Sequence, residues 1–586
     1  MLKERDPQES LFNSDNQFLN FVGRDTFYGF LSEHRHEIFQ DASFASLYCL
    51  DNGRAGVAPS TLALATLLQT YDGVSDAEAT RRSRFDIQWL VALGVELGTK
   101  PFAKSTLQVF RAKLILHEEA QRVFVQSLTF ARKLGFLKSK KITISIDTTP
   151  IFGKGAVKDT YNLLVDGIVL LMRVLAELDA TPLDQWAAQH DMSRYLAPSI
   201  KGTTSIDWDD EQQRSVFLRS IVIDADRLLI EAGTLRSRFG KDSAQDVAIV
   251  RAADLLSQLL VQDVQRSETN DITLKQGVAK DRVIAAHDTE MRHGRKSASQ
   301  RFDGHKAALA VDTETQLITA VAVLPGNAHD HTDVMDLVKS TETHTEGEVE
   351  ATIGDCAYGD GATRQAFHDA ERTLIAKSPR LPQNTGRFTK TDFVIDLDAD
   401  TVKCPNGVTT SSWSRGSRSP SGHHYKTFLF SKATCRGCPL AAQCVKHPGK
   451  NARSIDVHPQ ERLLSEARLF QQTPEFVSRY RPRQTVEHRI ARLIQLGMRH
   501  ARYVGRTKTL FQLLMAAAVA NLTLIASRVA TGVSFFVFRL FRGLFSLLCP
   551  RRSLTDARRT HLMSNSTDTL ALKWEFPKNR GFRPCL

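Results

Sequence analysis

The sequence predicts an α/β chain in which a mixed sheet with helices packed against it is interrupted by two insertions and preceded by an all-helical region. Three observations carry this. KKITISIDTTPI, 140–151, alternates β-branched residues as a strand does and ends near Pro150. RFDGHKAALAVDTETQLITAVAVLPGNAHD, 301–330, reads as two strands joined by a polar turn around Asp312–Gln316. Long stretches before and between these runs carry the 3.6-residue apolar period of helices instead.

Residues 17–135 show short helical runs such as PSTLALATLLQTYDG, with Pro59-Ser60-Thr61 as a start signal. Basic residues recur there, among them Arg81, Arg82, Arg84, Lys104, Arg111 and Lys113, and fit a helical DNA-binding module. After the strand at 140–155, helix-like periodicity returns over 156–280 and marks a first insertion. The sheet resumes over 295–380: the hairpin, a short helix over HTDVMDLVKS, a strand running to Asp355, a helix from near Thr363, and the strand TLIAKS at 373–378. Residues 381–470, rich in Ser, Thr, Gly and Cys, form a second insertion. Residues 475–530 close the sheet domain with helices, and 531–586 form a C-terminal tail that is polar after 550.

With 77 Lys and Arg against 65 Asp and Glu, the chain has a net charge of +12 and a pI near 9.3, which points to an acidic partner, nucleic acid first. The excess is concentrated: residues 479–508 hold nine Arg and Lys and one acid, Glu487. The start lacks the apolar core and cleavage site of a secretory signal, so the expected location is cytoplasmic and the eight cysteines are expected to be reduced. Leu510–Ser527 is uncharged and long enough to span a bilayer, but Gln512, Asn521 and its place after the basic segment favour a buried core helix.

On a helical wheel of YRPRQTVEHRIARLIQLGMRHARYVGR, 480–506, Val486, Ile490, Leu493, Ile494, Gly497 and Ala501 share one stripe, while Arg492, Arg499, Arg502 and Arg506 face away. Glu487 falls at the edge of the apolar stripe, leaning inward. A carboxylate there must be protonated, paired or bound to a cation. Asp147 ends the first strand and Asp355 the strand after the hairpin, and ligands in α/β sheets collect at such strand ends. Three hard oxygen donors meeting there suit Mg²⁺ or Mn²⁺. Such a site serves phosphodiester chemistry, with the arginines, including Arg489, holding the DNA backbone. The bland alternative is an Arg-paired glutamate on a solvated helix.

The late segment resembles the Y-x2-R-x3-E-x6-K signature of one branch of bacterial insertion-sequence DDE transposases, at Tyr480, Arg483 and Glu487. SIDTTPIFGKGAVKDTYNLL, HDTEMRHGRKSASQRFDGHKAALAVDTET and GDCAYGDGATR are similar to the same family, over roughly residues 20–530. The resemblance implies an RNase H-like fold with Asp147, Asp355 and Glu487 as catalytic metal ligands. It further implies metal-dependent cleavage of DNA at element ends and strand transfer to target DNA; two ends handled together predict a homodimer on DNA, and no membrane partner is expected. The signature's final lysine position is Ile494 here. That departure keeps two other readings open: a catalytically inactive DNA-binding relative, and a nuclease that cuts without joining.

Further DNA contacts are expected at Tyr480 and Arg483 before the helix, at Lys296, Arg301, His305 and Lys306 entering the hairpin, and at Arg364, which opens the helix after Asp355. HDTEMRH, 287–293, lacks the histidine spacing of a zinc hydrolase and reads as a surface or DNA-proximal loop. Cys356 is expected to fill core on the face opposite Asp355. Cys435-x2-Cys438 with Cys444 and the upstream Cys404 has the makings of a structural zinc site, with His447 as a rival ligand and plain reduced cysteines as the alternative.

Overall fold

The computed structural model describes residues 2–5, 12–49, 56–117, 119–267, 271–279, 281–297, 299–381, 386–418 and 424–548, with side chains in the last helix as far as 530. The chain divides into two units, Met1–Val529 and Ala530–Leu586, and the second is helical through Leu548 among its described residues. The expected polar tail beyond 550, with Cys585, lies outside the described residues.

The chain is mixed α/β. Its main sheet comprises β1 (Lys141–Phe152), β2 (Arg292–Arg295), β3 (Arg301–Asp312), β4 (Ile318–Pro325), β5 (Glu348–Gly354) and β6 (Thr373–Ala376). β1 lies centrally, parallel to β5 and antiparallel to β3. β6 extends the parallel side, while β4 and the short β2 share the outer edge of β3. The hairpin turn between β3 and β4 is closed by Asp312, whose Oδ2 accepts from the Thr315 amide and hydroxyl.

Alternation along the strands gives the sheet two apolar faces, as expected when both are covered. Ile142, Ile144 and Ile146 of β1, with Ala308, Ala310, Ala320 and Leu324, pack against Val334, Leu337 and Val338 of helix Val334–Thr345. The other face presents Ile151, Ala307, Leu309, Val311, Ile318 and Val321. It shares one continuous core with the N-terminal helices and with Val486, Leu493 and the apolar residues 513–520 of helix Arg506–Leu548. That helix is the one described segment apolar enough by length and composition to cross a membrane, and 83% of its apolar window over Arg506–Ala530 is buried in protein. Within it the fully buried Asn521 donates to the Ile318 carbonyl and accepts from the Ile318 amide, each at 2.8 Å. Ile318 is paired with Val311 in the ladder, and Asn521 satisfies the amide and carbonyl that this edge strand turns outward.

Each insertion has its own core. The first places helices Thr160–Leu178, Glu211–Arg236 and Ala244–Asp263 around Leu171, Leu228 and Leu256. The second builds two small three-stranded sheets around Phe393, Val402, Phe428 and Ile455.

The late basic segment is not one helix. Gln484–Leu493 is α-helical, Ile494–Met498 forms a π turn, and Gly497 adopts φ 86°, a left-handed conformation that ends the helix. The chain then runs beside the end of β1, where the Phe152 amide donates to the Arg499 carbonyl and the Ala501 amide to the Phe152 carbonyl. Arg499, Arg502 and Ala501 therefore leave the helical wheel on which the sequence placed them.

Replacing Asn521 by Ala strands both polar groups of Ile318 in the core. The expected loss is about 2–5 kcal/mol of stability, read as a lower urea midpoint at unchanged m-value; a midpoint within error of the parent would show that the buried pair adds nothing.

Candidate functional site

β1 and β5 run parallel and side by side, so their C-terminal ends open on the same edge of the sheet. Asp147 does not end β1 as the sequence suggested: the strand continues to Phe152 on its pairing with β3, and Asp147 lies two residues past Ser145, where the pairing with β5 stops. β5 stops at Gly354, and Asp355 turns out of the sheet to cap the 3-10 turn Cys356–Tyr358, its Oδ1 accepting from the Ala357 amide at 2.8 Å. Because the strand ends there, Cys356 is exposed rather than packed into the core as the strand alternation had suggested.

Arg483 ties the two sides of the site together. Its Nη2 donates to Asp147 Oδ2 at 2.8 Å and its Nη1 to Glu487 Oε1 at 2.6 Å, and the nearby charge of Asp355 further favours the guanidinium. Ser145, on the same face of β1 as Asp147, donates to the Arg483 carbonyl at 3.2 Å and fixes the start of the late helix against the strand. Glu487 is 54% exposed. It projects outward from the apolar stripe, correcting the inward lean read from the wheel: Val486, Arg489 and Leu493 take the buried side of this helix.

Burial pushes the Asp147 carboxyl up to about 6; Arg483 and the Thr148 amide pull it down, and Asp355 and Asp330 raise it further. The Tyr358 hydroxyl is driven well up by burial and by the same three aspartates. Asp330 and Tyr358 were both missed by sequence reasoning. Asp330 accepts from Thr148 Oγ1 at 2.8 Å and from Lys306 Nζ at 2.7 Å. Its signal in the sequence was a single acid between two histidines, in AHDH just after β4.

Several expected DNA contacts are internal. Arg489 is buried, donates to the Ala520 carbonyl at 2.6 Å, and is pulled down to about 10 by burial and then by Arg492 and Arg528. Arg364 is buried against the Gly359 and Ala376 carbonyls and Ser378, holding the turn after Asp355 to β6. His305 is 0% exposed with Asp288 3.9 Å away, and Lys306 is buried against Asp330. Each side chain follows an element whose inward face it occupies, so none is a surface contact. The HDTEMRH loop also does internal work: Asp288 accepts from the Gly505 amide and Glu290 from the Arg506 amide.

Arg499 donates to the Pro150 carbonyl at 3.1 Å, Arg502 to the Val74 carbonyl at 3.0 Å, and Arg492 to Gln495 at 3.3 Å; all three keep part of their surface open. Tyr480 stacks on Phe476 with ring centroids 5.1 Å apart, and the Lys377 ammonium lies over its ring.

In the second insertion Cys404, Cys435, Cys438 and Cys444 are free thiols lining one cavity of about 30 Å³. Burial pushes the Cys444 thiol up; Arg453 opposes this, and the other three sulfurs add to it. Cys404 and Gly407 close a tight turn, with Gly407 at φ 82°, and Cys435 and Cys438 close another. His447 does not line this cavity. Among the described residues, no group of three or more His, Cys, Asp or Glu is already arranged to hold a metal ion, either here or around Arg483.

Two family models match the chain: the Transposase domain (DUF772) over residues 16–113, and the Transposase DDE domain over 403–526. These two matches support reading the chain as an insertion-sequence DDE transposase. The DDE match takes in the four clustered cysteines, Arg483, Glu487 and most of the apolar part of helix Arg506–Leu548, while Asp147 and Asp355 precede it. Comparison with curated proteins and with solved structures finds no match.

The raised Asp147 carboxyl fixes a pH dependence. An unfolded Asp titrates near about 4, so between that pH and about 6 the folded chain binds more protons. The stability this group contributes is fully present below about 4 and is lost as pH rises through 6. In EDTA, Asp147→Asn is expected to flatten the stability slope across that window and to gain about 1–3 kcal/mol at pH 7 relative to the parent. Denaturation series at several pH values check this, and parallel curves for the two proteins would refute it.

Proposed function

We propose that this transposase cleaves DNA at the ends of its element and joins the freed 3′ ends to target DNA in a divalent-metal-dependent reaction, using Asp147, Asp355 and Glu487. The observation that carries the reading is the convergence of an aspartate within β1, an aspartate just past the end of β5 and a helix glutamate, 340 residues apart in sequence at the extremes, on the field of the single guanidinium of Arg483. The sheet supports an RNase H-like reading: parallel β1, β5 and β6, an antiparallel β3 beside β1, helices on both faces, and Asp147 two residues past the Ser145–Ile353 pair on β1, as Asp355 is on the β5 side.

The donor set fits a hard divalent cation. It consists of carboxylates, and their mutual repulsion is relieved by one positive side chain. Asp147, Asp355 and Glu487 would hold Mg²⁺ or Mn²⁺, which when bound supplies activation of the attacking oxygen and stabilisation of the leaving one. The chain's own residues do the rest. Arg483 keeps Asp147 and Glu487 facing each other in the resting protein, and the Thr148 amide orients the Asp147 carboxylate. Arg492, Arg499 and Arg502 offer cations for backbone phosphates. Two copies of the chain would handle the two element ends together, as symmetric assemblies commonly do.

End-joining with labelled terminal DNA tests the reading. The parent chain with Mg²⁺ or Mn²⁺ is expected to give joined product, and Asp355→Asn to lose both cleavage and joining by a factor on the order of 10³ or more while still binding DNA. Cleavage without joining would support the nuclease reading, and binding alone the inactive relative that Ile494 allows.

The four thiols also fit a structural zinc ion in kind and number, gathered around a cavity of ion size and carried on two tight turns. Zinc would brace the second insertion. Protein expressed with zinc is expected to carry about one equivalent by elemental analysis, falling towards zero in Cys438→Ser; a metal-free parent would refute this assignment.

A further inference from the structure

Asp330, in the segment between β4 and helix Val334–Thr345, is bonded to the neighbour of Asp147 rather than to Asp147 itself. Its Oδ1 receives the Thr148 hydroxyl at 2.8 Å and the Lys306 ammonium at 2.7 Å, and Lys306 donates in addition to the Ala328 carbonyl at 2.7 Å. Thr148 points to the opposite face of β1 from Asp147, yet its backbone amide donates to Asp147 Oδ1 at 2.7 Å. Fixing the Thr148 side chain therefore fixes the peptide that orients the Asp147 carboxylate, and a β-branched residue transmits this well because its χ1 is stiff.

Lys306 has little solvent around it, and a buried ammonium without an anion is costly. Its partner is therefore obligatory, and the pair anchors Asp330 between β3 and β1. The field of Asp330 reaches Asp147 and Tyr358 as well, which places it beside the acids rather than remote from them.

We propose that Asp330 is a positioning residue for Asp147, acting through the Thr148 hydroxyl, with Lys306 as its counter-ion rather than as a DNA contact. This rests on the reading of Asp147 as catalytic. In the resting site Asp147 is gripped from two directions: Arg483 holds Oδ2 from the late helix, and the Thr148 amide, steadied by Asp330, holds Oδ1 from the strand.

The test is single-turnover cleavage of labelled end DNA at saturating protein, with DNA affinity measured alongside. Thr148→Val leaves the Lys306–Asp330 pair intact and is expected to slow cleavage on the order of 10- to 100-fold, with DNA affinity within about twofold. Thr148→Ser, which keeps the hydroxyl, is expected to restore most of the rate. Asp330→Ala is expected to be at least as slow as Thr148→Val, and the double variant no slower than Asp330→Ala alone, because the two act as one unit. Parent-like cleavage by Thr148→Val, or a Thr148→Ser as slow as the valine variant, overturns the proposal. If Asp355→Asn abolishes cleavage while Thr148→Val does not, only this inference falls. If the parent chain cleaves with no divalent ion, the catalytic reading falls and this inference with it.

Discussion

Gathering carboxylates at one edge of a sheet is unfavourable unless a cation joins them, and Arg483 is the cation this chain supplies. Its guanidinium spans Asp147 on β1 and Glu487 one helical turn downstream, within the field of Asp355. Bringing like charges together in a half-buried cleft costs several kcal/mol if they stay uncompensated. A bidentate planar donor can meet two carboxylates at once, which an ammonium cannot do with the same geometry. The Nε of Arg483 is buried and finds no acceptor among the described residues. The guanidinium is thus committed to the acids with its two outer nitrogens at the expense of its third donor.

The rest of the architecture holds this meeting in place. β1 contributes isoleucines to one core and Ile151 to the other, so the strand carrying Asp147 is pinned from both faces. The late helix is set against β1 by the Ser145 hydroxyl, and after Gly497 turns the chain, the segment at Arg499–Ala501 bonds back to Phe152. Glu487 therefore rides on an element attached to the strand at both of its ends. The N-terminal helices share a core with the sheet, with Val486 and with helix Arg506–Leu548, and the Val74 carbonyl accepts from Arg502.

Much of the sheet was legible because its signals are local: the alternation of ITISI, the polar turn at Asp312–Gln316, and the Gly-rich break after Asp355 each act within a few residues. The buried nature of Leu510–Ser527 was legible too, since Gln512 and Asn521 are tolerable in a core that offers backbone partners. The wheel over 480–506 failed for a definable reason. It assumed one continuous helix, whereas Gly497 in a left-handed conformation ends the periodicity, so Arg499 and Arg502 could not be placed from spacing. Asp330 was illegible because its role is created by Thr148 and Lys306, 182 and 24 residues away, and no local pattern encodes that meeting.

Internal use of cations changes what the net charge of +12 means. Reading every arginine near the acids as a phosphate contact counted side chains by composition, but a long cation can be used internally as readily as at a surface. Arg489 spends its charge on a backbone carbonyl of the core helix, Arg364 on three acceptors around the turn that presents Asp355, and Lys306 on Asp330. These cations fix the frame of the acidic site. Arg492, Arg499 and Arg502 keep part of their surface open, as do Lys296, Arg301 and Arg481, and Arg499 and Arg502 lie not on the late helix but on the segment beside β1.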